Sequence, residues 1–135
     1  MFPADTKILI VDDMLMMRKL VQKSCRDIGF SEFILANDGD EAWKVLNENK
    51  STIGLVISDW NMPNLTGLAF LKKVRADESL KNMPFVLLTA ESEAAQVAEA
   101  IQAGVDNYIV KPFNTNALKE KLTQTYKKVQ VRAAS

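Results

Sequence analysis

The stretch "IGLVISDWNMPN", Ile53 to Asn64, decides the fold, because a short apolar run ends abruptly on a carboxylate. An uninterrupted apolar run of this length is typical of a strand that is buried on both faces of a parallel sheet. Asp59 closes the run, and Trp60, Asn61 and Pro63 follow it directly. A buried strand that ends in this way indicates a functional loop at the carboxyl edge of the sheet.

Four further apolar or β-rich segments repeat this pattern along the chain, and helical spacing follows each of them. Gly29 and Gly104 are expected to end two of the helices. The predicted strands lie at Lys7–Val11, Glu32–Ala36, Gly54–Ser58, Pro84–Thr89 and Asn107–Val110. Strands that alternate with helices and connect by right-handed crossovers predict a doubly wound α/β domain with a five-stranded parallel sheet and five helices.

The sequence also predicts the bounds of one helix, the buried face of another, and the extent of the domain. The helix after strand four is predicted over Ser92–Ala103, and the tail, residues 129–135, is expected to fray beyond the last helix. We expect one domain over residues 1–135 with a core of about residues 7–128. The buried face of the first helix is expected to consist of Met17, Leu20, Val21, Ser24, Cys25 and Ile28.

The composition of the 135 residues excludes several classes of protein. Seventeen basic and 17 acidic residues balance, so nothing in the charge favours a nucleic acid or a membrane surface as partner. Cys25 is the only cysteine, which excludes an intramolecular disulfide and argues against a cysteine-based zinc site. No apolar stretch approaches the ~20 residues that span a bilayer, and the amino terminus does not resemble a signal peptide. We therefore expect a cytoplasmic protein.

Polar side chains of reactive types stand where the predicted strands end. Asp12 and Asp13 follow strand one, Asp59 follows strand three, Thr89 ends strand four and Lys111 follows strand five. Because the carboxyl ends of parallel strands share one edge of the sheet, we expect these side chains to converge.

Carboxylates brought together repel one another, and a hard divalent cation removes that conflict. Mg²⁺ prefers oxygen ligands and retained waters, so we expect Asp13 and Asp59 as direct ligands, Asp12 acting through water, and the carbonyl of Asn61 as a further oxygen. The absence of histidine disfavours a softer metal. The alternative for the adjacent acidic pair is a helix cap with a first-turn charge, and the residues alone leave it open.

A carboxylate at such a site can act as a nucleophile that forms an aspartyl phosphate. Asp59 is predicted to have this role, since Lys111 would add positive charge and Thr89 a hydroxyl donor for phosphoryl oxygens. Taken singly, Asp59 is better explained by turn chemistry, and Thr89 by ordinary β propensity.

The motifs "VDD", "ISDWNMPNLTG", "LLTAE" and "YIVKPF" together resemble the receiver domain of two-component response regulators. The resemblance spans about residues 7–128 and is strongest to the single-domain regulators of chemotaxis. It implies a flavodoxin-like strand order, 2-1-3-4-5.

The resemblance also implies roles for individual residues. Asp59 would accept a phosphoryl group from a phosphohistidine on a histidine kinase, with Thr89 and Lys111 contacting that group. The Lys111–Pro112 bond is expected to be cis. The residues expected to organise Mg²⁺ are Asp12, Asp13, Asp59 and, through its carbonyl, Asn61.

A second set of implied roles concerns switching and phosphate lifetime. Tyr108 would be a switch aromatic that moves inward when Thr89 shifts toward the phosphate, which would change the face made by helix four, strand five and helix five. Asn61 and Glu91 would tune dephosphorylation. From the residues alone, Tyr108 is equally an ordinary edge-strand aromatic.

The implied partners are a histidine kinase of the chemotaxis type, the flagellar motor switch protein and a phosphatase. A monomer is the default expectation for the chain itself. A single-domain phosphorelay intermediate, a phosphate sink or a regulator outside motility remains an alternative. A phosphohydrolase that uses an aspartyl phosphate is disfavoured, because such enzymes place an acid/base aspartate two residues after the nucleophile. This chain has Asn61 there.

Overall fold

Five strands alternate with five helices in the computed structural model, which describes residues 1–90 and 94–134. The strands are β1 (Lys7–Val11), β2 (Glu32–Ala36), β3 (Ile53–Asp59), β4 (Phe85–Thr89) and β5 (Asn107–Val110). The helices are α1 (Leu15–Ile28), α2 (Gly39–Glu48), α3 (Gly67–Ala76), α4 (Ala94–Gln102) and α5 (Thr115–Ala134). All strand pairs are parallel, in the order β2-β1-β3-β4-β5. The predicted fold class and strand order are confirmed.

The sheet is buried on both faces, and this explains its uninterrupted apolar strands. Successive side chains of a strand point to opposite faces. In β1, Leu9 and Val11 therefore join the core beneath α2 and α3, whereas Ile8 and Ile10 join the core beneath α1 and α5. The two cores form the outer interfaces of a three-layer α/β/α domain.

The element bounds depart from the predicted ones by one or two residues. β3 extends by one residue at each end, to Ile53 and Asp59, so the carboxylate belongs to the strand itself. β4 begins at Phe85 rather than at Pro84, whose carbonyl accepts a hydrogen bond from the backbone N–H of Val56 at 2.9 Å. Predicted helix positions 92 and 93 lie outside the described residues.

The predicted buried face of α1 is wrong at Leu20, whose side chain is 45% exposed. Val21, Ser24 and Cys25 are buried as expected. Three residues advance an α-helix by about 300°, so Leu20 lies about 60° from Met17 on the side away from Val21. Leu20 therefore sits at the edge of the buried stripe rather than within it.

The expected fraying of the carboxyl-terminal tail is also wrong, since α5 continues to Ala134. Arg132 in its last turn donates to the buried carboxylate of Asp106 at 2.5 Å and to the carbonyl of Asn82 at 2.8 Å. Arg75 of α3 donates to the other oxygen of Asp106 at 3.0 Å. These contacts hold the end of α5 against the amino-terminal edge of the sheet.

Replacing Arg132 by Ala is expected to lower the free energy of unfolding by about 1–2 kcal/mol. The loss is limited because Arg132 is about one-third exposed and because Arg75 still neutralises Asp106. Urea denaturation measures the change, and the exposed Lys127→Ala on the same helix is the control. Equal stability of both variants would show that the contacts of Arg132 contribute nothing to the stability of the fold.

Cys25 is fully buried on the inner face of α1, and burial raises the pKa of its thiol from 9.0 to about 12. Because only the thiolate reacts, the native protein is expected to resist alkylation at mildly alkaline pH and to react after unfolding in urea. The unfolded thiol ionises first, so this residue makes the fold less stable as pH rises from 9.0 toward about 12. Rapid labelling of the native protein by a thiol-reactive chromophore would contradict the expectation.

Candidate functional site

Strand register brings the acidic side chains to one edge of the sheet. Val11 of β1 pairs with Ser58 of β3, so Asp12 and Asp59, each one residue further along, are neighbours. Asp59 pairs in turn with Leu88 of β4. The site is therefore assembled by backbone pairing of the central strands.

Asp12 is fully buried, and each of its oxygens has a partner. Oδ1 accepts a hydrogen bond from the backbone N–H of Met14 at 2.9 Å, and Oδ2 lies 3.3 Å from Lys111 Nζ. Its carbonyl accepts a hydrogen bond from Arg18 Nη1 at 2.6 Å, a contact that no sequence pattern predicts. These bonds fix the start of the loop that also carries the exposed Asp13.

Lys111 is the cation of the site. Its Nζ donates to Asp59 Oδ1 at 2.7 Å and approaches Asp12 as described, while its side chain is only 15% exposed. The following peptide bond, Lys111–Pro112, is cis, as the family resemblance implied. The ammonium group therefore bridges two carboxylates that come from different strands.

Burial raises the pKa of the Asp59 carboxyl above its usual 3.8. The hydrogen bond from Lys111 opposes this effect, and the negative charge of Asp12 acts in the same direction as burial. The ionised carboxylate, which is the nucleophilic form, is thus held at an energetic cost that positive charge relieves.

Carboxylate oxygens of three residues, Asp12, Asp13 and Asp59, lie within 4.8 Å of one another. One lysine cannot neutralise three carboxylates, so the cluster retains excess negative charge. A set made only of oxygen donors, with one exposed member that leaves room for water, fits Mg²⁺ and does not fit a softer metal. The cluster that was predicted from strand ends is thus present in the fold.

Thr89 and Asn61 line one small cavity beside the cluster. The cavity has a volume of about 220 Å³ and is also lined by Ala90 and Gln96. Thr89 is buried at the end of β4, whereas Asn61 is exposed. The structure therefore brings both predicted residues to the same opening, while Glu91 lies outside the described residues.

Tyr108 is half-buried on the edge strand β5 and packs against the core beneath α2 and α3. Lys121 Nζ of α5 lies 5.0 Å from the centre of its ring, a cation–π distance. The ring thus contacts both the core and α5.

Gly67 is the last residue of the motif "ISDWNMPNLTG", and its contacts make it a positioning residue for Asp59. A Cβ at this position would lie 2.1 Å from the carbonyl oxygen of Asp59, and its N–H donates to the carbonyl of Trp60 at 2.9 Å. The first residue of α3 therefore packs directly against the backbone of Asp59. Glycine is common just after the end of a helix rather than at its first position. A glycine at the start of α3 therefore indicates a close backbone contact there.

None of the helices that the structure describes is both long and apolar enough to cross a membrane.

Comparison with known proteins places this site in a family. The family described as the response regulator receiver domain matches residues 8–123. This chain belongs to that family.

The curated relatives of the chain include chemotaxis proteins. The chemotaxis protein CheY of Pseudomonas aeruginosa is 44% identical over 123 residues, which cover 91% of this chain and 98% of that protein. Chemotaxis protein CheY-3 of Vibrio cholerae is 46% identical over 123 residues, with 91% and 93% covered. The solved structure of CheY4 of Vibrio cholerae is similar, with a TM-score of 0.79, 35% identity and coverage of 90% of this chain and 98% of that one.

Proposed function

We propose that this chain is a phosphorylation-dependent switch in chemotaxis, in which Asp59 accepts a phosphoryl group from a phosphohistidine on a histidine kinase of the chemotaxis type. The observation that carries the proposal is the contact of Lys111 Nζ with Asp59 Oδ1 at 2.7 Å beside two further carboxylates. A buried carboxylate with a fixed ammonium partner and an acidic rim suits phosphoryl transfer, in which positioning and electrostatics supply nearly all of the catalysis.

In the proposed transfer, a carboxylate oxygen of Asp59 attacks the phosphorus of the phosphohistidine. The oxygen–phosphorus bond forms as the phosphorus–nitrogen bond breaks, and the electron pair leaves with the imidazole. Lys111, which already donates a hydrogen bond to Asp59, would donate one to an oxygen of the transferred phosphoryl group. The Thr89 hydroxyl would donate a hydrogen bond to another of its oxygens. The chain catalyses only its own phosphorylation and dephosphorylation.

Mg²⁺ is the proposed cofactor, held by Asp13 and Asp59 directly, by Asp12 through water and by the Asn61 carbonyl. Bound there, it neutralises charge on the phosphoryl group and on the acidic cluster. The support is the cluster of three carboxylates, which the single lysine leaves with excess negative charge.

The proposed output is a change in the face formed by α4, β5 and α5. Thr89 would shift toward the phosphoryl group, and the Tyr108 ring would then move inward, away from Lys121. A ring that is half-buried and contacts both the core and α5 is suited to two positions. Asn61, at the site opening, and Glu91 would tune the rate of dephosphorylation, with a phosphatase as a further partner.

The proposed partner of the phosphorylated face is the flagellar motor switch protein. The names of the relatives assign them to chemotaxis, and this proposal extends that role to the chain. We further propose that residues 1–135 act as one cytoplasmic, monomeric receiver domain, with its core at about residues 7–128.

Capture of purified flagellar switch protein tests the output. With Mg²⁺ and beryllofluoride, a phosphoryl mimic, binding is expected to be about tenfold tighter than without the mimic, since a switch of this kind couples two sites by 1–3 kcal/mol. Asp59→Asn, which cannot carry the mimic, is expected to bind at the weaker level in both conditions. Equal binding by the parent with and without the mimic would remove the motor assignment and leave a phosphorelay intermediate or phosphate sink.

A further inference from the structure

The loop that follows Asp59, residues 60–66, is anchored to the rest of the fold at its middle as well as at its ends. At its ends, the N–H of Trp60 donates to the carbonyl of Leu88, and the carbonyl of Trp60 accepts from the N–H of Gly67, both at 2.9 Å. Within the described part of the chain, one hydrogen bond joins residues 61–66 to an element other than α3. Asn64 Nδ2 donates to Asp38 Oδ2 at 2.9 Å.

Asp38 is a fixed anchor for this bond. Its Oδ1 accepts from the backbone N–H of Glu41 at 2.9 Å and so caps α2. The bond to Glu41 and the bond from Asn64 both lower the pKa of Asp38 below its usual 3.8. The carboxylate therefore offers one oxygen to its helix and the other to the loop.

The backbones of the two loops also touch beside this hydrogen bond. A Cβ at Gly39 would lie 2.5 Å from the carbonyl oxygen of Leu65 and 2.7 Å from its Cβ. Only a residue without a side chain allows so close an approach. The hydrogen bond and the glycine contact thus lock the same two segments together.

Asn64 adopts a left-handed backbone conformation, with φ of 68°. Among residues with a side chain, asparagine tolerates this region best, and glycine tolerates it without strain. The conformation therefore favours asparagine or glycine, and only asparagine can also make the bond to Asp38.

We propose that Asp38 and Asn64 form a positioning clamp that pre-orders the loop carrying Asn61 and so raises the affinity of the acidic cluster for Mg²⁺. The clamp rests on the proposed function, in which the Asn61 carbonyl is an oxygen ligand. Only Met62 and Pro63 lie between Asn61 and Asn64, so fixing Asn64 restricts Asn61. A loop that is already ordered does not lose that freedom when the cation binds. Neither clamp residue is among the proposed ligands of the cation.

Three variants test the clamp. Asn64→Gly removes the amide, keeps the charge and fits the left-handed backbone. The double variant Asp38→Asn with Asn64→Asp exchanges amide and carboxylate. It leaves one oxygen at position 38 to cap α2 and turns the other atom into a donor toward position 64. Asn37→Ser, which removes the bond from Asn37 to Glu41 at 3.1 Å without touching the loop, is the matched control.

Mg²⁺ titration by calorimetry measures the affinity, and amide hydrogen exchange of residues 61–66 in metal-free protein measures the order of the loop. Asn64→Gly is expected to weaken Mg²⁺ binding about threefold to tenfold and to speed exchange. The exchanged pair is expected to return both quantities to within about twofold of the parent, and Asn37→Ser to change neither.

Parent-like Mg²⁺ affinity in Asn64→Gly would overturn the clamp, and so would an exchanged pair that binds Mg²⁺ as weakly as Asn64→Gly does. Either result leaves the proposed function intact as long as the parent protein binds Mg²⁺ and becomes phosphorylated on Asp59. A parent that does not bind Mg²⁺ would overturn both proposals together.

Discussion

Asp59→Asn is expected to lose covalent phosphorylation altogether. The amide is nearly identical in size to the carboxylate, but it lacks the negative oxygen that attacks phosphorus. No other carboxylate of the cluster can substitute. Asp12 is fully buried with both oxygens occupied, and Asp13 is exposed and is not paired with Lys111 among the described contacts.

Incubation with Mg²⁺ and acetyl phosphate, followed by intact-mass measurement, tests this expectation. Asp40→Asn, which removes an exposed carboxylate on α2, is the control and is expected to gain mass as the parent does. Phosphorylation of Asp59→Asn to the parent level would mean that the acceptor lies elsewhere.

Gly67→Ala is expected to lower the free energy of unfolding by about 3 kcal/mol or more, because its added methyl group would overlap backbone rather than a flexible side chain. The new Cβ would lie 2.1 Å from the Asp59 carbonyl oxygen and 2.9 Å from Leu87 Cδ2. Relief requires α3 to move away from β3, which displaces the backbone of Asp59. Phosphorylation of the folded fraction is therefore expected to slow as well.

Gly54→Ala, on β3, is the matched control. Its added Cβ would meet only Thr6 Cγ2, at 3.0 Å, and a side-chain methyl group can shift. The expected change is below about 1 kcal/mol. Urea denaturation of both variants, with phosphorylation rates measured below the transition, gives the comparison. Equal stability of the two variants would show that the contact of Gly67 with the Asp59 backbone has no structural weight.

The sheet could be predicted because each strand is a short apolar run bounded by breaking residues. β3 is the clearest case, since burial on both faces demands apolar side chains at nearly every position. The convergence of Asp12, Asp59 and Lys111 followed from the same prediction, because parallel strands end at one edge. Resemblance of the motifs supplied the strand order and the cis bond.

Contacts that do not arise where the strands end could not be predicted. The last turn of α5 looks like a fraying tail, and only the fold places Arg132 beside Asp106, 26 residues away. The spacing of Leu20 in the sequence is that of a core residue. Only the orientation of α1 against the sheet shows that its side chain is exposed. The bond from Asn64 to Asp38 likewise depends on how two loops meet, which no local pattern encodes.

Chemical mapping of the phosphorylated residue tests the central claim most directly. After reaction with acetyl phosphate and Mg²⁺, borohydride converts an acyl phosphate to an alcohol, and peptide sequencing by mass spectrometry locates the reduced residue. The expected result is reduction of Asp59 alone, abolished when Mg²⁺ is chelated. Reduction at Asp12 or Asp13, or equal reduction of Asp59 without the cation, would contradict the account.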